Sequence, residues 1–279
     1  MIAYSLARRL SHADVDFLGE LKVAALLGLL EQAAVEASAA AGFDAARYSH
    51  DGRMWIIRRT RLARTVPVGG SDVLEVQTRV LDFRRARSLR GYTVRREATV
   101  VAEATTDWVY CDALTGRPAR IPDELQQALA GAAVPLPRAA ALIVAPPAEA
   151  ATAAVRVEPS HLDHVVHVNN AVYASFLEDA AQALFAGHGW PLPRMLGAGG
   201  ALRAGALDIE YVNDAQLHDD LVVRSWLPQR GSLGMRDGHP HTAEVLQQIA
   251  RADGTEIVRA HSQWVWRWKP AVVGGVPTL

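Results

Sequence analysis

Between Lys22 and Ala41 apolar residues return every three or four positions, so that Val23, Leu26, Leu27, Leu30, Ala34 and Ala37 share one helical face, and Gly42 follows as a stop. The pattern recurs from Asn170 to Gly187, where Val172, Tyr173, Phe176, Leu177, Ala180 and Leu184 make the apolar stripe. Asn169 or Asn170 stands where an N-cap is needed, and Gly187 and Gly189 close the segment. Each helix is followed by strand-like alternation, with Leu74, Val76, Thr78 and Val80 on one face in the first half and Leu221, Val223, Ser225 and Leu227 in the second. One long helix and a run of strands, twice over, predicts an α+β fold.

The repetition keeps a single register. Asp16 matches Asp163 at an offset of 147 (163 − 16 = 147), and the same offset brings Leu30 to Leu177, Glu31 to Glu178, Asp72 to Asp219, Leu74 to Leu221 and Val76 to Val223. Long-period self-similarity signals a duplicated structural unit. Between the copies, Gly131 to Ala154 is rich in alanine and proline and lacks a period, as a linker does. The expected organisation is an N-terminal unit over 1–130, a linker over 131–154 and a C-terminal unit over 155–279.

Composition narrows the function classes. The formal charge is −1, so nothing global points to nucleic acid or an acidic membrane. Cys111 is the only cysteine, which excludes an internal disulfide and any multi-thiolate metal site and fits a cytoplasmic protein. The N-terminus lacks the apolar core of an export signal, and no run of about 18 uncharged apolar residues predicts a membrane span. His239 and His241 lack a third ligand at metal spacing, and Gly197–Gly200 lacks the lysine of a phosphate loop. No Gly-x-Ser-x-Gly elbow is present. Trp264, Trp266 and Trp268 alternate on one strand, as sheet core or as the lining of a pocket. Neither a cofactor nor a metal is expected.

From His161 the chain reads HLDHVVHVNNAVYASFLEDAAQALF. With the opening HADVDFLGELKV, the strand WVYCDALTGRPARIP and the closing SQWVWRW, it resembles the acyl-acyl carrier protein thioesterases, relatives of the 4-hydroxybenzoyl-CoA thioesterase family. The resemblance implies a tandem (double) hotdog, each unit a long central helix wrapped by a curved antiparallel sheet. It implies hydrolysis of a fatty or polyketide-type acyl thioester carried on acyl carrier protein, or on coenzyme A, and a homodimer of the fused chain. Plant-type members carry D-x-N-x-H here, where this chain has Asp163, Val165 and His167, and a Glu-Cys pair later, where it has Asp214 and Ala215. Catalysis is therefore expected from Asp163, His167, Asn169, Asn170 and Asp214, and substrate contacts from Val165, Tyr173, Met54 and Trp55.

Thioester hydrolysis needs an activated water or a carboxylate nucleophile, and donors for the developing oxyanion. Asp163 suits the first role and His167 can orient water or stabilise the departing thiolate, while the amides from Val168 to Asn170 at a helix start suit the second. The first copy keeps Asp16 but has Glu20 for His167 and Lys22 and Val23 for the two asparagines, which predicts a binding role. Arg58, Arg59, Arg61, Arg64, Arg84, Arg85, Arg87 and Arg90 form either a basic face for an acidic carrier protein or solvated strand edges. Competing readings are a hydratase, whose D-x-N-P-x-H pattern is absent, and a non-catalytic acyl-binding module.

Overall fold

The computed structural model describes residues 4–129, 142, 145–163, 166–229 and 231–269. In the first half, β1 (Tyr4–Arg9) precedes the long helix α1 (Val23–Ala40), the short helix α2 (Ala45–His50) and four strands, β2 (Arg53–Arg64), β3 (Val73–Arg84), β4 (Arg87–Arg96) and β5 (Thr99–Asp112). After α3 (Asp123–Leu129) the order repeats as β6 (Ala151–Arg156), α4 (Asn170–Gly187), α5 (Leu192–Gly197), β7 (Gly200–Tyr211) and β8 (Asp220–Trp226). A short β9 (Leu233–Arg236), β10 (His239–Arg251) and β11 (Glu256–Trp268) complete it.

The strands form one antiparallel sheet in the order β1-β3-β4-β5-β2-β7-β11-β10-β8-β6, with β9 paired to β10. Each half contributes the same local order, and the halves meet where β2 pairs with β7 from Arg59↔Glu210 to Ala63↔Ala206. The starts of β1 and β6, of β2 and β7, and of β3 and β8 all keep the 147-residue offset (151 − 4, 200 − 53 and 220 − 73). The register breaks later, where the second half inserts β9.

Both long helices lie against the sheet and against each other. Leu26, Leu27, Leu30 and Ala34 of α1 and Phe176, Leu177, Ala180 and Leu184 of α4 enter one continuous core with Leu74, Val76, Val94, Leu207, Ile209 and Val223. Each such leucine or phenylalanine, fully buried, contributes roughly 1.5–3 kcal/mol. The length and apolarity of α1 would allow a membrane span. Here its apolar face is buried by the sheet and α4.

Several expectations are redrawn. Ala151–Ala154, read as linker, belong to β6: ATAAVR alternates half-buried and exposed positions, but alanine on both faces hides the period in the sequence. Residues 130–141, 143 and 144 of that stretch lie outside the described residues. Trp264 and Trp266 are core residues, whereas Trp268 is 62% exposed beyond the covered part of its strand. The arginines do not make a continuous basic face. Arg59 and Arg61 pair with Asp208, Arg87 with Asp107 and Arg84 with Asp82, and Arg64 and Arg90 are buried. His239 packs on the Trp266 ring at 4.4 Å, and Gly200 opens β7 where an added Cβ would run into the Arg267 carbonyl and the Trp266 indole.

Candidate active site

The turn leading into α4 is tied by Asp163. Its amide donates to the His167 carbonyl at 2.8 Å, its carbonyl accepts the Val166 amide at 3.1 Å, and its Oδ1 accepts the His167 amide at 3.2 Å. The first half builds the same turn at Asp16, whose amide donates to the Glu20 carbonyl at 2.8 Å and whose carbonyl accepts the Gly19 amide at 2.9 Å. Asp16 Oδ1 accepts the Leu18 and Glu20 amides at 2.8 and 3.1 Å. The third residue after each aspartate is left-handed, Gly19 at φ 77° and Val166 at φ 65°. Glycine adopts this conformation without strain, but a β-branched valine does so at a cost of about 1–3 kcal/mol. His164 and Val165 lie outside the described residues, and with them the expected Val165 substrate contact.

What covers the two turns differs. The Asp16 side chain is 5% exposed and its Oδ2 lies 2.8 Å from Arg203 Nε, while Arg203 Nη2 donates to Glu178 Oε1 at 3.1 Å. Glu20 Oε2 sits 3.8 Å from Arg64 and 3.9 Å from Arg267. Burial pushes the Glu20 and Glu178 carboxyls upward, and the neighbouring arginines pull them back. At the 147-residue offset, Arg203 corresponds to Ile56, Arg64 to Tyr211, Glu20 to His167 and Glu178 to Glu31. The ionic plug of the first turn has thus lost its arginines at the second. Asp163 and His167 are partly exposed, and no described residue bonds to the His167 imidazole.

Asn169 caps α4, its Oδ1 accepting the Ala171 amide at 2.8 Å. Its own amide donates to the His161 carbonyl at 3.0 Å, and Val168 is bridged to Leu162. Of the three amides expected to face an oxyanion, those of Val168 and Asn170 therefore have no backbone partner among the described residues, and the Asn170 N–H is the one at the helix start. The Asn170 carbonyl accepts the Tyr211 hydroxyl at 3.2 Å. One turn on, the Tyr173 hydroxyl accepts the Ala215 amide at 3.0 Å. Burial raises both tyrosine pKa values, and the Asp214 carboxylate adds to the effect at Tyr173. Asp214 itself is exposed. The rings of Tyr211, Tyr173, Phe176 and His161 follow one another at 5.9, 6.2 and 5.0 Å under this helix start.

The structure therefore gathers Asp163, His167, Asn169, Asn170, Tyr173 and Asp214 around the N-terminal end of α4. Met54 and Trp55 stand apart at the start of β2, where Trp55 packs on Tyr110 at 5.0 Å in a satellite core with Phe43, Ile121 and Leu125. Two neighbours escaped sequence reasoning, Tyr211 and Glu31. The Glu31 charge helps to raise the pKa of Tyr211, whose hydroxyl bonds to the second half's helix start. The offset that matches Glu31 to Glu178 was the available signal. A recess of about 630 Å³ on the sheet face opposite the helices, lined by Arg61, Gln77, Glu103, Asp208 and His261, shares no residue with this site.

Residues 4–129 match the family model of the acyl-ACP thioesterase N-terminal domain. The N-terminal half is similar to that domain, and the match places the chain among thioester hydrolases. The fold agrees along the whole length. A protein of Lactobacillus plantarum described by name as an oleoyl thioesterase superposes with a TM-score of 0.80 at 20% identity, covering 95% of this chain and 96% of that one. An acyl-ACP thioesterase from Bacteroides thetaiotaomicron and the 12:0-ACP thioesterase from Umbellularia californica each superpose with a TM-score of 0.75 at 16% identity, covering 95% of this chain and 98% of theirs. The thioesterase is thus a double hotdog. No curated protein matches the chain at a significant level.

Proposed function

We propose that this thioesterase releases a free fatty or polyketide-type acid from acyl-acyl carrier protein, at one active site per chain, formed by the Asp163 turn and the start of α4. The observation that carries the reading is the contrast between two equal turns, one sealed by Arg203, Arg64 and Arg267 and the other accessible and bearing His167. Asp163 acts as general base toward water, His167 orients that water or stabilises the leaving thiolate, and the Asn170 amide holds the carbonyl oxygen as it becomes an oxyanion. Asp214 and Tyr173 shape the far side of the helix start. Acyl carrier protein rather than coenzyme A is the donor on the strength of the family match. The enzyme acts in the cytoplasm, as a homodimer and without a cofactor.

A non-catalytic acyl-binding role is the second reading, favoured by Ala215 standing where plant-type relatives hold cysteine, fully buried and with its amide bound by Tyr173. Thiol release from panels of acyl-ACP and acyl-CoA by wild type, Asp163→Ala and His167→Ala separates the two. The expected result is turnover by wild type and a loss of about 10²–10⁴-fold in Asp163→Ala. Undiminished release by Asp163→Ala would sink the mechanism, and saturable binding without turnover would favour the binding module.

A further inference from the structure

The duplication also marks a place where the halves differ for no reason of fold. Arg90 pairs with Thr106 of β5 and Val245 with Ser262 of β11. Each of those hydroxyls accepts the indole N–H of the tryptophan two residues on, Trp108 at 2.6 Å and Trp264 at 2.9 Å, so Arg90 and Val245 are equivalent positions. Both are buried, at 6% and 0% exposure. In the second half, Leu184 and Phe185 fill the space under the end of α4, Phe185 lying edge-on to Trp264 at 5.2 Å. Their counterparts at the 147-residue offset are Ala37 and Ser38.

The volume given up there is taken by Tyr48, whose hydroxyl bonds to Ser38 Oγ at 2.8 Å, by Arg90 and by a cavity of about 70 Å³, lined by Tyr4, Ala37, Ala40, Val80, Arg90 and Leu129 among others. Among the described residues the guanidinium has one side-chain hydrogen bond, to Thr78 Oγ1 at 3.5 Å, and no carboxylate within ion-pair distance. The end of α1 offers only the partial negative charge of its carbonyls. A buried cation without a counter-ion is destabilising, and Val245 shows that the fold accepts an apolar residue at this position.

We propose that the Arg90 cavity binds the carboxylate at the distal end of an acyl chain, so that the preferred substrates are thioesters of dicarboxylic acids. The proposal rests on the thioesterase reading for its substrate class. The fork of a guanidinium matches a planar carboxylate with two parallel hydrogen bonds, and the alanine walls suit the hydrocarbon just before it. Glu31 is the counterpart of Glu178, which Arg203 ties to the Asp16 turn at the start of α1, and from Glu31 to Ala40 is nine residues of helix (40 − 31 = 9). That is roughly 13 Å, or about ten carbon–carbon bonds end to end.

Isothermal titration of wild type, Arg90→Met and Arg90→Lys with the monomethyl ester of decanedioate (the dioate probe) and with methyl decanoate, which has no carboxylate, tests the site. Wild type should bind the dioate roughly 10- to 150-fold more tightly, the range of a charged hydrogen-bond pair. Arg90→Met should lose that preference and Arg90→Lys, which keeps the charge without the fork, should retain only part of it. Circular dichroism verifies that each variant is folded, and Arg90→Lys carries the test if the methionine variant is not. Equal binding of the two esters by wild type, or a preference intact in Arg90→Met, would overturn the proposal. A parallel panel of methyl-ended and carboxylate-ended acyl-ACP thioesters should show the same ratio in kcat/KM. No hydrolysis of any thioester alongside a preserved dioate preference would remove the thioesterase reading and leave the Arg90 site standing. Hydrolysis of methyl-ended chains with no dioate preference would do the reverse.

Discussion

Removing the Arg203 guanidinium should unlock the sealed half of the molecule. Arg203 bridges Asp16 at 2.8 Å and Glu178 at 3.1 Å, and the three side chains are 6%, 5% and 11% exposed. Arg203→Met is close in volume but leaves two buried carboxylates facing each other. Breaking a buried ion pair by removing one partner costs about 3–5 kcal/mol. For a chain of this size each kcal/mol moves the melting temperature by ~2–4 °C, so the variant should melt roughly 6–20 °C lower. The loss should depend on pH in a defined direction. Burial already raises the Glu178 carboxyl, with Arg203 the leading influence pulling it down, so deleting Arg203 raises it further. A carboxyl whose folded pKa lies above its unfolded value stabilises the fold below the unfolded pKa, and that contribution is lost as pH rises through the folded one. The deficit of Arg203→Met should therefore be greatest near neutrality and shrink toward pH ~5. Calorimetric melts of both proteins at the two pH values measure it. Equal melting temperatures at neutral pH, or a deficit that does not change on acidification, would refute the role given to this cluster.

Three further outcomes are expected. Val166→Gly relieves the left-handed φ of 65°; after the entropy that glycine loses on folding, it should stabilise by about 1 kcal/mol, read as a higher urea midpoint. Asn169→Ala removes the α4 cap, which should cost about 1 kcal/mol and speed amide exchange in the first turn of that helix alone. Tyr173→Phe takes the acceptor from the buried Ala215 amide, a loss of about 1–3 kcal/mol that a melt should register; an unchanged melting temperature would mean that another acceptor reaches that amide.

Much was decided locally and could be read from residue order. The apolar stripes of α1 and α4 needed only helical spacing, and α4 begins and ends where Asn169 and Gly187 imply. The duplication was equally legible, because paired strands and helices of equal length keep a constant offset until β9 interrupts it. Asp163 and His167 lie four residues apart within one turn, so chain connectivity alone brings them together. Alanine hid β6, since it reads as neither face of a strand. Tertiary structure decided the rest, because burial and ion pairing depend on which elements meet across the sheet. Asp16 and Asp163 are the same residue in the same turn, and only the packing of β7 and α4 over the first shows that one is sealed by Arg203 and the other left accessible. Trp55, expected from the resemblance to contact substrate, packs against the satellite core, whereas the charge of Glu31, a residue of the first half, acts on Tyr211, which bonds to the second half's helix start. Arg90 read as one arginine in a basic run, and its burial, at a position where the second half has Val245, was settled by strand pairing with Thr106, 16 residues away in sequence (106 − 90 = 16).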